Sequence, residues 1–138
     1  MSKLVRLSLS LEAPLCDELE RLVQTSGCRN RSEFVRNLIR EQLVAEEWEK
    51  AEEIMGTITL VYNHHQRELS EKLTALQHDC SDCIMAATHV HLSHEICAEM
   101  IMTRGRPADI RKLADAMRQQ RGVLHVALSM SSTGKSLH

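Results

Sequence analysis

Between Leu4 and Leu11 the chain alternates strictly. Val5, Leu7, Leu9 and Leu11 fall on one face and Arg6, Ser8 and Ser10 on the other, the period of two that predicts a strand. Pro14 suits a first helical turn, and Leu15, Leu19, Leu22 and Val23 form a stripe that stops at Ser26-Gly27, which predicts a helix of about three turns. A second helix follows, capped by Asn30 or Ser32, with Phe34, Val35, Leu38, Ile39 and Leu43 as its apolar positions. A lone strand leaves its backbone groups unpaired. The economical arrangement is therefore two chains that pair their strands as an antiparallel ribbon and interlock four helices, with the polar strand face projecting outward.

Glu46 to Glu53 holds five acids against one lysine and reads as a solvated helical tail or linker. Beyond it the pattern changes. Ile54 to Tyr62 is strand-like, and Gln66 to His78 has a helical stripe of Leu69, Leu73 and Leu76. Ile84 to Leu92 and Ile96 to Thr103 are strand-like, the second closed by Arg104-Gly105. Pro107 to Gln120 is helical through Ile110, Leu113, Ala114 and Met117, and Val123 to Met130 alternates once more. The order β-α-β-β-α-β is a split βαβ layout with helices on one face of an antiparallel sheet. The expected division is a strand-helix-helix domain at 1–48, a linker at 49–53, a βαββαβ domain at 54–131 and a frayed tail at 132–138.

The chain has 138 residues, 43% hydrophobic and 26% charged, which places it with globular rather than disordered or membrane-spanning chains. Its longest uncharged apolar stretch, Ile54 to Asn63, is far shorter than the roughly 20 residues of a transmembrane helix, and no signal-peptide core follows Met1. A cytoplasmic protein with no membrane partner is expected. Phe34, Trp48 and Tyr62 are the only aromatic residues, so the core must be aliphatic and oligomerisation is a natural supplement. A formal net charge of −2 excludes a globally basic nucleic-acid binder but not a local basic face, and up to Ala45 seven Lys or Arg stand against six acids. Five cysteines, an odd number, with no secretion signal argue for reduced thiols.

His89-Val90-His91 sets two imidazoles on one face of a strand, because residues i and i+2 point the same way. Cys97 lies six residues beyond His91, and a hairpin loop at Ser93, His94 and Glu95 would bring its thiolate alongside the pair. Two nitrogen donors and one sulfur suit Ni, Cu or Zn and match Mg or Ca poorly. Read alone, the same residues also fit two solvated histidines and a buried cysteine. Cys80-Ser81-Asp82-Cys83 is a lone C-x-x-C with neither a second pair nor a thioredoxin-like setting, a weak sign of zinc or redox use. His64, His65 and His125 read as surface or core histidines. No phosphate loop, nucleophile elbow or dinucleotide fingerprint is present, so an enzyme is not expected. On the polar strand face, Arg6, Ser8 and Ser10 would reach base edges if a two-stranded ribbon entered the major groove. Asn30, Arg31 and Ser32 at a helix N-terminus suit phosphate anchoring.

Arg6-Leu-Ser-Leu-Ser-Leu, Gly27-Cys-Arg-Asn-Arg-Ser-Glu33, Gln77-His78, Ala87-Thr-His-Val-His-Leu-Ser-His94 and Cys97 together resemble the nickel-responsive ribbon-helix-helix repressors of the NikR type, over nearly the whole chain. The resemblance implies an α+β fold with an N-terminal ribbon-helix-helix (β-α-α) DNA-binding domain and a C-terminal ACT-like, ferredoxin-like βαββαβ domain. It further implies a homotetramer, a dimer of dimers, with one Ni(2+) per subunit held square-planar between subunits. His89, His91 and Cys97 would come from one subunit and His78 from its neighbour, with Glu99 and Tyr62 supporting them. Arg6, Ser8 and Ser10 would read double-stranded operator DNA, and family members carry Thr at one or both of the serine positions. A second cation site, placed by the family on two acids of the second helix, keeps Glu33 but has Asn37 as its other residue. The implied function is a nickel-responsive repressor of nickel uptake genes. Two alternatives remain at this point: a metallochaperone, and a metal-independent ribbon-helix-helix regulator whose ACT-like domain senses an amino acid.

Overall fold

The computed structural model describes residues 2–50 and 52–138. Its elements are α1 (Ala13–Thr25), α2 (Arg31–Lys50), β1 (Ile54–Asn63), α3 (Leu69–Asp79), β2 (Ile84–His91), β3 (Ile96–Gly105), α4 (Pro107–Arg118) and β4 (Val123–Met130). A single 3-10 turn, Ser81–Cys83, joins α3 to β2. The chain falls into two compact units that divide between Glu41 and Gln42.

In the first unit Pro14 opens α1, and Gly27 at φ +76° closes it with a left-handed residue that costs a glycine little. Asn30 settles the choice of cap for α2, its Oδ1 accepting the Glu33 amide at 2.9 Å. Glu33 reaches back to accept the Arg29 amide at 3.2 Å, which ties the turn ahead of the cap to the first turn of α2. The alternating segment before α1 forms no ladder within the chain, and residues 2–12 are exposed throughout. The physical reason is the one that sequence already supplies: a strand needs a partner strand for its amides and carbonyls.

The second unit carries a four-stranded antiparallel sheet in the order β2-β3-β1-β4. Along β1 every even residue from Ile54 to Tyr62 is buried and every odd one is half-buried. That even face meets Leu69 and Leu73 of α3 and Ile110, Leu113, Ala114 and Met117 of α4 in one core. The register of β1 with β4 slips between Val61 and Tyr62, where Val61 pairs His125 but Tyr62 pairs Val123, a bulge that leaves Leu124 over. At the edge, β2 is exposed along almost its whole length.

Trp48 departs from the expectation of a solvated tail. It lies near the end of α2, is 2% exposed, and belongs to the core of the second unit. Its indole Nε1 donates to the Ser131 carbonyl at 2.8 Å, and its ring fills the space where a side chain on Gly56 would stand, 2.8 Å from an ideal Cβ. Glu46, Glu49 and Lys50 around it are exposed, so the acidic run is solvated on one side and anchored on the other. The thiol expectation also changes. Cys80 and Cys83 are joined in a disulfide, their Cα atoms brought to 5.7 Å by the 3-10 turn between them, within the range such a bond requires. Cys16, Cys28 and Cys97 are free.

Candidate functional site

The strand register assembles the site in two rows. Tyr62, Cys97 and His91 pair across β1, β3 and β2, and Leu60, Glu99 and His89 form the next row. All six share the face that carries the core, because alternation along each strand keeps them in phase. The rows begin in the core and run out to the exposed edge strand. Cys97 is completely buried, whereas His89 and His91 are exposed.

The His91 Nδ1 lies 3.2 Å from the Cys97 sulfur. A second imidazole approaches the same sulfur, with the His64 Nδ1 at 3.4 Å. One donor atom each from His64, His91 and Cys97 lie within 4.8 Å of one another. His64 follows β1 directly and is fixed there by its amide, which donates to the Glu95 carbonyl at 3.0 Å. His89 stands with its ring centroid 5.2 Å from that of His91, and its Nε2 is 3.5 Å from the Tyr62 hydroxyl. Glu99 accepts a 3.0 Å hydrogen bond from the Gln77 amide nitrogen, which ties the end of α3 to the His89 row.

His78, in the last turn of α3, is exposed and is not gathered into this cluster within one chain. Conversely, His64 was read from the sequence as an ordinary histidine. A signal for it existed, since the even-numbered alternation of β1 carried one step past Tyr62 places residue 64 on the same face.

Partial burial, and then the neighbouring His65 and His91, pull the His64 pKa below its ordinary value. The ring is therefore neutral at pH 7 and keeps a lone pair free to ligate. Tyr62 is pushed up, first by burial and then by Glu99 and Cys97, so its hydroxyl keeps its proton. A buried sulfur flanked by two imidazoles is a donor set for a borderline divalent transition ion. A nickel ion fits that chemistry, and a hard oxygen-seeking cation does not.

The residues proposed from sequence for DNA and for a second cation lie in the first unit. Arg6, Ser8 and Ser10 are exposed in the unpaired segment. Asn30 spends its side-chain oxygen on the α2 cap, and Arg31 is paired with Glu20. Ser32 is exposed beside them. Glu33 is held by the Arg29 amide and guanidinium, the latter at 3.3 Å, and both contacts lower its pKa, the amide most. Asn37, one turn further on, donates to the Cys28 sulfur at 3.6 Å.

The comparisons with known proteins follow the same division. Residues 5–46 match the ribbon-helix-helix protein family of the copG type, and residues 55–131 match the NikR C-terminal nickel binding domain. A protein of Solibacter usitatus named "Putative nickel-responsive regulator" is 44% identical over 99% of both chains. One of the same name from Geobacter sp. strain M21 is 45% identical over the full length of both. Among solved structures, an uncharacterized protein from Thermotoga maritima superimposes with a TM-score of 0.53 at 18% identity, covering 57% of this chain and 98% of its own, a likeness of fold. An ACT domain from the GTP pyrophosphokinase of Chlorobium tepidum gives a TM-score of 0.47 over 55% of this chain and 97% of its own. No described helix is long and apolar enough to cross a membrane. With both family profiles in sequence order and relatives alike from end to end, the chain belongs to the NikR family of nickel-responsive ribbon-helix-helix transcriptional regulators.

Proposed function

We propose that the chain is a cytoplasmic repressor of nickel uptake genes that works as a homotetramer, a dimer of dimers, and binds one nickel ion per subunit. The observation that carries the reading is the buried Cys97 sulfur with imidazole nitrogens at 3.2 and 3.4 Å, set on a sheet row that ends at an exposed edge. Cys97, His91 and His89 are the ligands of one subunit, and His78, turned out on α3, serves a neighbour's site. His64 competes for the place beside Cys97 and holds the ion while the neighbour is absent. Tyr62 and Glu99 orient the row, one through His89 and the other through Gln77. When bound, nickel supplies bonds that join two subunits and so favour one arrangement of the tetramer over others. A coupling of about 1 to 3 kcal/mol between metal and operator is typical of such switches.

For DNA, two copies of residues 4–11 pair as a ribbon and cover Val5, Leu7, Leu9 and Leu11, which are 41 to 82% exposed in the single chain. Arg6, Ser8 and Ser10 then face the major groove, where an arginine fork reads guanine. Asn30, Arg31 and Ser32 meet phosphate at the α2 start, Arg31 exchanging Glu20 for it. Glu33 is what remains of a second cation site.

Nickel titration of the metal-free protein, followed by absorption, tests the site. A thiolate-to-nickel band saturating at one ion per chain should vanish in Cys97→Ala and His78→Ala and survive in His64→Ala. Survival in His78→Ala with loss in His64→Ala would move the site into a single chain. Operator binding that is no tighter with nickel than without it would end the switch reading.

A further inference from the structure

The nickel and DNA readings leave Cys80 and Cys83 without a role. These residues form a disulfide whose two halves differ: Cys83 is 6% exposed and packed against Gly105 of β3, while Cys80 is half-buried. Both line an open cavity of about 550 Å³ that also holds Arg104, Arg106, Lys112 and Asp109. That volume suits a small metabolite rather than a water cluster. The cavity wall mixes cations with acids, Asp79 and Asp82 completing the acidic side, and such a wall matches a ligand that carries carboxylate and ammonium groups together. Arg104 is already engaged by Glu53 at 2.8 Å, so Arg106 and Lys112 are the cations left to such a ligand.

The disulfide also stands where it can matter to the metal. Cys80 ends α3, its amide donating to the carbonyls of Gln77 and His78. Cys83 roots the same turn on β3. The bond therefore ties the last turn of α3, which carries His78, to the sheet that carries Cys97 and Glu99. Helix ends fray when their tethers are cut, and a ligand that must be re-ordered at each binding event binds metal less tightly.

We propose that Cys80 and Cys83 form a thiol-exchange site for a small zwitterionic thiol, and that the state of this pair sets the affinity for nickel. The inference rests on the reading of His78 as a nickel ligand. The thiolate of the small molecule attacks the sulfur of Cys80, the more accessible one, forming a mixed disulfide and releasing the Cys83 sulfur, which takes up a proton. A second thiolate attacks the small molecule's sulfur in that mixed disulfide, and Cys80 leaves as a thiolate that is then protonated. One protein disulfide and two small thiols become two protein thiols and one small disulfide, the two electrons coming from the small thiols. The oxidised pair holds His78 in place, and the reduced pair loosens it.

The full-length chain in mixtures of glutathione and its disulfide provides the test. Differential alkylation and peptide mapping should show Cys80 and Cys83 converting together and reversibly. Nickel competition should find the oxidised form binding roughly tenfold tighter than the reduced. The Cys80→Ser/Cys83→Ser variant should bind like the reduced chain and show no redox dependence. Arg106→Ala should slow the reaction with glutathione several-fold and leave that with the uncharged 2-mercaptoethanol unchanged. A pair that ignores every mixture, equal nickel affinity in both states, a redox effect that persists in the double serine variant and so belongs to Cys97, or equal slowing with both thiols would each overturn the proposal. Equal nickel affinity in both states overturns this proposal and leaves the functional reading standing. Failure of both forms to bind nickel overturns the functional reading with it.

Discussion

The stretch up to Glu41 and the stretch from Gln42 onward have a similar share of apolar residues, yet they treat them in opposite ways. In the first, Val23 is the one described residue that is buried, while Leu7, Leu15, Leu38 and Ile39 lie open to solvent. In the second, residues from four strands and three helices close on one core with Ile54, Ile58 and Ile101 fully shielded. Full burial of such a side chain stabilises by about 1.5 to 3 kcal/mol, so the second unit carries its stabilisation within the chain. The first leaves these apolar positions uncovered within the chain, and on the proposed ribbon pairing a second copy would cover them. On that proposal the DNA-binding fold is completed only by pairing, so a monomer would not present the reading face and assembly and recognition would become one event.

The contrast is broken most severely by charging the unpaired strand. Leu7→Asp with Leu9→Asp should abolish operator binding and much of the α1 helical signal, while the unfolding midpoint in urea read by Trp48 emission stays in place. Ile58→Ala should do the reverse, lowering that midpoint by the equivalent of about 2 to 5 kcal/mol. A midpoint in the strand variant that moved as far as in Ile58→Ala would show that the second unit also depends on pairing.

Two glycines, one in each unit, differ in the same sense at a smaller scale. Gly27 and Gly122 both have positive φ, +76° and +95°, but a Cβ on Gly27 meets nothing within 4 Å whereas one on Gly122 falls 2.5 Å from the Gln66 Cγ. Gly27→Ala should cost about 1 kcal/mol from backbone conformation alone. Gly122→Ala should cost about 2 to 3 kcal/mol, since steric conflict is added. Equal losses in calorimetry would mean that the second unit yields around Gln66.

The smallest effect is electrostatic. Glu33 in the first unit is held below its ordinary pKa by the Arg29 amide and then its guanidinium, and Glu53 in the second by the Arg104 guanidinium. Because each folded value lies below the ordinary one, the stabilisation is present above the ordinary value and is lost as pH falls through the folded value. Carboxyl NMR titration should place both midpoints below that of free glutamate. A Glu53 midpoint at the free value would mean that its exposed ion pair with Arg104 is not kept in solution.

How much of this was legible follows from what each feature depends on. The helices and the strands of the sheet depend on local period, and the helical stripes of Leu69 and Leu73 and of Ile110 and Met117 mark positions that the fold buries. His89, His91 and Cys97 were also reachable, because a shared strand face and a short hairpin are local geometry. Trp48 was not, since its burial depends on Gly56 and Ser131, the latter 83 residues away, and its acidic neighbours advertise a solvated surface. His64 was only half legible, its face following from the β1 alternation but its contact with Cys97 not. It follows the strand rather than standing in it, and its approach to Cys97 depends on the Glu95 carbonyl across the sheet. The Cys80–Cys83 bond depends on a 3-10 turn that leaves no periodic trace in three residues.

The slip in register at Val61 and Tyr62 carries a consequence for descent. Val123 and Val126 both serve the core although one is odd and the other even, because Leu124 is absorbed between them. The last strand is thus written in two frames, and the join between them is a place where a lineage can gain or lose a single residue without exchanging inside for outside on either side. A change of length is tolerable there in β4, and beside His91 in β2 or Cys97 in β3, where the register is unbroken, it is not.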